Sequence, residues 1–379
     1  MKYKLGEIFE VGSGGTPSKN HPEYYGGSIP WIKTGDLKSE YLYVAEDYIT
    51  EQGLNNSSAK MYKPDTVLIA MYGATIGATS ILKIDACTNQ ACAAFKKSEK
   101  VIPEYLYYFF KSQKERFVKD GVGGAQPNIS ASYLKNVEME VPTLVRQTEI
   151  VDILDKTNRV IEHRRKELEE LDNLIKARFV EMFGEPRINL FGFEKMMLKD
   201  TCKVITGNTP SRAVEDYYGN YVEWIKTDNI VSGILNPTKA SESLSEKGMR
   251  VGRIVDANAI LMACIAGSVT SIGRVCVTNR TVAFNQQINA VVPEKYNVLF
   301  LYTLFQISKD YLVEDINMSL KGILSKSRLE EKEFIVPPME LQNDFADFVE
   351  QVDKSKVVIQ KALDETQLLF DSLMQKYFG

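Results

Sequence analysis

The feature that most constrains the fold is a phrase that occurs twice. The stretch TPSKNHPEYYGGSIPWIKTGD, Thr16 to Asp36, returns 193 residues later as TPSRAVEDYYGNYVEWIKTDN, Thr209 to Asn229, with ten of 21 positions identical. Both tryptophans of the chain lie at the same place in it. Weaker matches follow in the same order, and the dipeptide FG ends both copies. Such self-similarity indicates that the whole chain consists of two copies of one unit.

Length and composition narrow the class of protein. A chain of 379 residues can hold two to three domains, which fits two similar halves. The start MKYKLGEIF has no apolar leader region, and no stretch reaches the ~18 apolar residues of a membrane span, so we expect a soluble, cytoplasmic protein. The five cysteines form no CxxC pair and there are only two histidines. We therefore expect reduced thiols and neither a zinc site nor a histidine-based nucleophile.

The charge distribution is informative once it is divided along the chain. Residues 1–143 carry 16 Lys/Arg and 16 Asp/Glu, and residues 189–337 carry 17 and 16. The net charge of −4 arises mainly in residues 338–379, with four basic and eight acidic residues. Both globular parts are thus near neutral, so a DNA-binding face would have to gather its basic residues on one side, and we expect the isolated chain to bind DNA weakly.

The local patterns predict a mixed α+β fold for each copy. Glycine- and proline-rich turns follow short apolar stretches, and runs such as TVLIAMY and AILMACIA read as strands bounded by turn residues. A helix is expected from Pro103 through PEYLYYFFKSQKERFVK, since proline suits the first helical turn, and the matching helix is expected from about Val298 to Tyr311. We expect mainly antiparallel sheets.

The last part of each copy is different in kind. Apolar residues recur there in alternating steps of four and three, a heptad seam sustained for more than four heptads. Polar residues interrupt it at different heptads in the two copies, which we interpret as a safeguard against slipped pairing. The seam comprises Ile150, Leu154, Thr157, Ile161, Arg164, Leu168, Leu171, Ile175, Arg178 and Met182, and in the second copy Phe345, Val349, Val352, Lys356, Ile359, Leu363, Thr366, Phe370, Leu373 and Tyr377.

These patterns predict two globular domains joined by two long helices that form an antiparallel coiled coil with pseudo-twofold symmetry. The boundaries follow: residues 1–143 and 189–337 are globular, and residues 144–188 and 338–379 are the helical segments. A helix of about 35 residues spans ~52 Å, too long to pack wholly on its own small domain. Two similar domains on a rigid rod suit duplex DNA with two half-sites, although two protein epitopes would suit it equally.

The sequence resembles the specificity (S) subunits of type I restriction-modification systems over essentially its full length. The resemblance depends on an ordered set of features, each present twice: the TPS…YYG…W(I)K phrase, a GATIG-type turn after a strand, an Asn-Gln pair, a VP…Q…I helix start and the long terminal helix. The paired positions are Asn89-Gln90 and Asn285-Gln286, then Pro142, Gln147 and Ile150, matched by Pro337, Gln342 and Phe345.

The resemblance implies that each globular unit is a target recognition domain reading one half of a split double-stranded DNA site. The helices would act as a ruler for the spacer and hold two modification subunits, which methylate adenine N6 from S-adenosylmethionine. Restriction subunits would add ATP- and Mg-dependent translocation and cleavage. The S subunit would have no catalytic activity and no cofactor of its own. In agreement, the chain has no [DNS]-P-P-[YFW] motif, no Walker A motif and no convincing cluster of metal-nuclease residues.

Positions identical in the two copies cannot explain different half-site preferences. We therefore assign them to the scaffold or to phosphate contacts, which position a protein without reading sequence. The repeated tryptophans, the paired tyrosines and the Thr-Pro-Ser turns are interpreted as folding elements. For the repeated Lys33, Thr34, Lys226 and Thr227 two interpretations stay open, a phosphate contact and plain solvation.

Base-reading residues are expected where the copies diverge inside matching loops. Arginine pairs with guanine through two hydrogen bonds, and asparagine or glutamine with adenine. The divergent pairs Gly35-Asp36 and Asp228-Asn229 belong to this group. The candidates are Lys19, Asn20 and His21, opposite Arg212; Asp228; Tyr72 to Thr75, opposite Ala266 to Ser268; and Gln126 and Asn128, opposite Ser319 and Lys321.

Three alternatives explain less of the sequence or keep the DNA-reading role. An enzyme would need clustered titratable groups, which the sequence does not reveal. A coiled-coil adaptor that binds proteins at both ends explains the helices and the neutral charge, but not two globular domains with one shared loop framework. An S-type subunit serving a fused methylase-nuclease would keep the DNA-reading role and change only the partner.

Overall fold

The two copies found in the sequence correspond to two structural units. The structure is a computed structural model that describes residues 1–121, 128–265, 271–314, 316 and 322–379. One unit comprises Met1–His163 with Leu363–Gly379, and the other comprises Arg164–Ala362. Each unit therefore combines a globular domain with part of each of two long helices. The predicted α+β class with two long helices is confirmed.

The first globular domain contains three sheets and several short helices. A five-stranded sheet has the order β2-β10-β7-β8-β4, a four-stranded sheet has the order β5-β3-β9-β6, and β1 pairs with β11. The elements are β1 Lys2–Lys4, α1 Leu5–Ile8, β2 Val11–Ser13, β3 Tyr25–Ile32, β4 Tyr41–Leu42, β5 Asp47–Ile49, α2 Glu51–Asn55, β6 Met61–Tyr62, β7 Val67–Ala70, β8 Thr79–Leu82, β9 Ala86–Thr88, β10 Cys92–Phe95, α3 Pro103–Ser112, α4 Lys114–Asp120, α5 Ala131–Asn136 and β11 Glu138–Glu140.

The second domain repeats this plan between the two long helices, α6 (Leu144–Phe183) and α11 (Met339–Phe378). Its sheets have the orders β13-β20-β17-β18 and β15-β14-β19-β16, and β12 pairs with β21. The elements are β12 Glu194–Met197, β13 Cys202–Thr206, β14 Tyr218–Ile225, β15 Ser243–Leu244, α7 Glu246–Val251, β16 Ile254–Val255, β17 Ile260–Ala263, β18 Val275–Val277, β19 Val282–Phe284, β20 Ile288–Pro293, α8 Val298–Ile307, α9 Lys309–Val313, α10 Lys326–Glu330 and β21 Glu333–Val336.

The strand after the Thr-Pro-Ser turn has the same irregularity in both domains. The pairing of β3 with β5 shifts register between Tyr25 and Ile29, and that of β14 with β15 shifts between Tyr218 and Val222. Beyond the shift, β3 pairs in parallel with β9, and β14 with β19. The tryptophan end of the strand therefore lies between two neighbouring strands, where its backbone is held on both sides.

The helix predicted from Pro103 is two helices, and this corrects the expectation of a single one. Pro103 begins α3 as predicted, but the chain leaves helical geometry at Gln113 before α4 begins. The same break separates α8 from α9 at Ser308. Gln113 has φ −90° and ψ 0°, and Ser308 has φ −90° and ψ 18°, so both lie in the bridge region of backbone conformation, outside regular α-helical geometry.

In the first unit the start of α6 lies beside the end of α11. The guanidinium carbon of Arg146 lies 5.8 Å from the centre of the Tyr377 ring. Further along α6, Asp155 accepts a hydrogen bond from the hydroxyl of Tyr108 (2.6 Å), whose ring centre lies 6.3 Å from that of Phe370. Since numbers rise along α6 while those of its α11 neighbours fall, the helices are antiparallel here, as predicted.

In the second unit the end of α6 packs on the start of α11 in the same antiparallel sense. The ring centres of Phe179 and Phe183 lie 5.4 and 5.7 Å from that of Phe345. Nearer the middle of the helices, Lys356 Nζ lies 2.7 Å from Asp172 Oδ1. All twenty residues of the predicted seam are buried or half-buried. Within the described ranges, no helix is long and apolar enough to cross a membrane.

A buried glutamine fastens the start of each long helix to its own domain. Gln147 accepts a hydrogen bond from the Ile102 amide (3.0 Å) and donates to the carbonyls of Lys100 (2.8 Å) and Pro142 (3.0 Å). Gln342 plays the same part in the second unit, between the Asn297 amide (2.9 Å) and the Pro337 carbonyl (2.8 Å). Both side chains are fully buried, so these hydrogen bonds satisfy backbone groups that water does not reach.

Candidate nucleic-acid interface

The repeated phrase builds one hydrogen-bonded platform in each domain. Its tryptophan and second tyrosine donate hydrogen bonds to backbone carbonyls of the Thr-Pro-Ser turn and of the residue before it, which holds the turn against the strand. The bonds are Trp31 Nε1 to Gly15 O (3.1 Å), Tyr25 Oη to Pro17 O (2.5 Å), Trp224 Nε1 to Asn208 O (3.3 Å) and Tyr218 Oη to Pro210 O (2.7 Å). These residues are folding elements, as the repetition suggested.

The Asn-Gln pair completes the platform. The threonine hydroxyl of the turn bonds to the glutamine side chain in both domains, Thr16 to Gln90 and Thr209 to Gln286. A glycine two residues before each threonine lets the chains approach closely. A Cβ at Gly14 or Gly207 would lie about 2 Å from a carbonyl oxygen of the segment that precedes the glutamine. The motif residues thus join two distant segments of each domain.

Both repeated lysines are ion-paired, a role that neither open interpretation included. Lys33 pairs with Asp47, and Lys226 Nζ lies 2.5 Å from Glu242 Oε1. The hydrogen bond to Asp47 raises the pKa of Lys33, although burial acts in the opposite direction. The acids come from the region where the chain enters the strand paired with the tryptophan strand, β5 or β15. A phosphate that binds either lysine would therefore compete with the acid that is already paired with that lysine.

In the second domain Arg212 joins the same cluster. Its Nη2 lies 2.6 Å from Glu242 Oε2, and its guanidinium carbon lies 4.3 Å from the centre of the Tyr218 ring and 5.2 Å from that of Trp224. Lys226 Nζ lies 5.1 Å from the same tryptophan ring. Hydrogen bonds from Lys226 and then Arg212 lower the pKa of the Glu242 carboxyl, against the effect of its partial burial. We name these five residues the Trp224 cluster.

The Trp31 platform carries a different set of side chains. Lys19, at the position aligned with Arg212, is exposed and has no ion pair or ring contact with another described residue, and Asn20 beside it is exposed. His21 stacks on Tyr24 with ring centres 4.8 Å apart and contacts Glu23. The two domains therefore present different groups on matching platforms.

Two of the divergent loop positions have a folding role. Asp36 and Asn229 are buried, and each accepts a hydrogen bond from the amide of the repeated lysine, at 2.8 and 3.0 Å. They cap the short 3₁₀ turns that begin at Thr34 and Thr227, both of which are half-buried. In the second domain Asp228, which lies between Thr227 and Asn229, is exposed.

The structure brings three further candidates of the first domain together. Tyr72 forms an isolated antiparallel bridge with Asn128, and Thr75 donates its hydroxyl to the Tyr72 carbonyl (2.9 Å). In the second domain, Ile265 and Ile323 form the corresponding bridge. Gln126, Ser268 and Lys321 lie outside the described residues, as do Ala266 and Ser319. Within the described part of the chain, no group of His, Cys, Asp and Glu could hold a metal ion.

Asp47 and Glu242 are the site residues that sequence reasoning missed. They lie 195 residues apart, whereas the repeated phrase is offset by 193, so the ungapped comparison did not pair them. The signal in the sequence is that each acid lies at or just before the start of the strand that pairs with the tryptophan strand. A search for acidic residues at that position in both copies would have found them.

Comparisons with known proteins agree with this architecture. The model of the type I restriction modification DNA specificity domain matches residues 1–173 and 192–366. The MjaIX type I restriction enzyme specificity subunit of Methanocaldococcus jannaschii is 28% identical over 98% of this chain and 91% of that protein. The EcoR124I/EcoR124II specificity subunit of Escherichia coli is 32% identical over 44% of this chain and 43% of its own length. In fold, the chain is similar to the crystal structure of the type I S subunit from M. genitalium, with a TM-score of 0.58 at 15% identity, covering 100% of this chain and 96% of that one. The chain belongs to the family of type I restriction-modification DNA specificity proteins.

Proposed function

We propose that this chain is the DNA sequence-recognition subunit of a type I restriction-modification complex and that each globular domain reads one half of a bipartite site. One observation carries the proposal beyond family membership: the two domains have the same hydrogen-bonded platform and display different polar groups on it. Trp224 lies under Arg212 and beside Lys226, whereas no cation lies over Trp31 within the described residues. Matching scaffolds with different surfaces are what two different half-sites require.

The long helices have a separate role in this proposal. They set the number of unspecified base pairs between the half-sites and dock two modification subunits, which methylate adenine N6. S-adenosylmethionine belongs to those subunits, and ATP and Mg belong to restriction subunits of the full complex. The chain itself contributes recognition and no catalytic group. The expected compartment is the cytoplasm.

The near-neutral charge of both domains has a consequence for affinity. Non-specific binding to duplex DNA depends on basic residues that displace counterions. Since Lys33, Lys226 and Arg212 are each paired with an acid, little of their charge is free to attract phosphates at long range. Tight binding would then require the modification subunits, and the isolated chain is expected to bind with a shallow salt dependence.

The test is a map of methyladenines across the host genome with and without the gene. We expect one bipartite motif to lose methylation completely when the gene is deleted and to regain it when the gene is restored. A frameshifted copy that produces no full-length chain serves as the control for the restoration. If every bipartite motif stays methylated after the gene is deleted, the proposal is contradicted.

A further inference from the structure

We infer that Glu242 is a positioning residue that holds Arg212 ready to read a guanine in the half-site of the second domain. The inference depends on the proposed function and deepens it by naming a base and a supporting residue.

Arg212 is fixed although its side chain is 56% exposed. A long arginine side chain normally loses considerable rotamer freedom when it is ordered. Here the ordering precedes any ligand, because Glu242 binds Nη2 and the rings of Tyr218 and Trp224 lie within 4.3 and 5.2 Å of the guanidinium carbon. Preorganisation of this kind reduces the entropy cost of binding.

Arg212 keeps hydrogen-bond donors available for a base. A guanidinium group has five N–H donors in a planar fork. Among the described residues only Glu242 accepts a hydrogen bond from Arg212, and it accepts it from Nη2. The other nitrogens remain able to donate to N7 and O6 of guanine, which is the commonest specific contact of arginine in the major groove.

Glu242 is itself held in place by two hydrogen bonds. Its carbonyl oxygen accepts the amide of Trp224 (3.1 Å), and its second carboxylate oxygen accepts from Lys226 (2.5 Å). Lys226 is the less exposed of the two cations, at 26%. The cluster of two cations and one anion has a net charge of +1. One of the two positive charges is therefore neutralised, and the general attraction of the cluster to phosphates is weaker than that of two free cations.

Among the described residues, the first domain has no equivalent of Arg212. Asp47 pairs with Lys33, but the position aligned with Arg212 is the exposed Lys19, and no described cation lies over Trp31. Lysine lacks the planar fork that matches guanine. Disturbing the Trp224 cluster should therefore alter one half-site and leave the other unchanged.

The experiment uses the full chain reconstituted with its modification subunits. Methylation is measured on a duplex library in which both half-sites and the spacer are randomised. For Arg212→Lys and Glu242→Gln we expect the preference for guanine at one position of one half-site to fall about tenfold, because a good bidentate pair contributes roughly that discrimination. Arg212→Ala should lose the same preference. Glu246→Gln, which removes an exposed ion pair with Arg250 in the same domain, is the matched control and should leave the profile unchanged.

The outcomes separate the inference from the proposed function. A wild-type complex that methylates no bipartite site would contradict the function itself. A wild-type bipartite profile that either Arg212→Lys or Glu242→Gln leaves intact would overturn the inference alone, as would losses spread over both half-sites. If thermal unfolding shows that Glu242→Gln is misfolded, Glu242→Asp replaces it, because a carboxylate shorter by one methylene is drawn back from Arg212. A folded Glu242→Asp variant with the wild-type guanine preference would likewise overturn the inference.

Discussion

At the residue scale, the duplication provides an internal comparison of charge. Asp36 and Asn229 cap the same turn in the two domains, and both are buried. The amide of Asn229 also donates to Thr238 Oγ1 and the Lys239 carbonyl, whereas Oδ1 of Asp36 has no hydrogen-bond partner among the described residues. Burial raises the pKa of Asp36, and the hydrogen bond from the Lys33 amide opposes the rise. Capping this turn with a buried carboxylate therefore destabilises the folded state relative to capping it with an amide, as in the second domain.

Asp36→Asn is expected to weaken the dependence of stability on pH. A carboxyl whose pKa is raised in the folded state stabilises that state below its ordinary pKa of about 4, and this contribution is lost as pH rises through the raised value. The wild-type free energy of unfolding should thus fall more than that of the variant from about pH 4 toward neutrality, by urea titration. Asp36→Ala, which removes the cap, should lose about 1 kcal/mol at neutral pH. Equal pH profiles for wild type and Asp36→Asn would contradict the argument.

The limits of sequence reasoning are also clearest at this scale. The folding role of the tryptophans was predictable, because residues that are identical in both copies cannot account for any difference between the domains and therefore point to the scaffold. The partners of Lys33 and Lys226 were not, because Asp47 and Glu242 reach them only through pairing with a neighbouring strand. That pairing includes a register shift between Tyr218 and Val222 in the second domain, which no local pattern predicts.

At the scale of elements, local periodicity in the sequence predicted the two long helices. It did not predict which residues of the globular domains these helices contact. The seam repeats within a single helix, so its apolar face could be read from sequence alone. Lys356 stands on that seam, and its partners are Asp172 on α6 and the carbonyl of Gly233 in a loop of the second domain. This pairing agrees with a role in register, which remains a hypothesis. The loop contact depends on tertiary folding and could not be foreseen.

Gln342→Ala tests how the second helix is fastened to its domain. The change leaves the Asn297 amide and the Pro337 carbonyl without their buried partner, and a loss of about 2–4 kcal/mol is expected for two unsatisfied groups. Hydrogen exchange at the Asn297 amide should accelerate accordingly. Gln351→Ala, on an exposed position of the same helix, should change stability by less than about 0.5 kcal/mol. Unchanged exchange at Asn297 would show that Gln342 does not hold this junction.

At the scale of the whole molecule, the duplication determines what can vary. In the proposed function each domain reads its half-site with its own platform, so we expect substitutions in the Trp224 cluster to affect one half-site. The helices α6 and α11 are shared, since each contributes residues to both units. A change in their length should therefore act on the relation between the half-sites and not on either of them. The repeat alone predicts this division of roles between the domains and the helices. It does not predict the target bases, because no general rule relates the sequence of a recognition loop to the bases that it contacts.

Deletion of one heptad from both helices tests the ruler directly. The deletions would centre on the chain positions where the units divide, after His163 in α6 and before Leu363 in α11. Seven residues keep the seam in register and shorten a helix by about 10 Å, equivalent to about three base pairs at 3.4 Å each. We expect methylated sites with unchanged half-sites and a spacer shorter by about that number. A five-residue deletion, which turns the rest of each helix by about 140° at about 100° per residue, is the control and should abolish methylation because the apolar faces no longer meet. A spacer that stays at the wild-type length in the heptad variant would exclude the helices as the ruler.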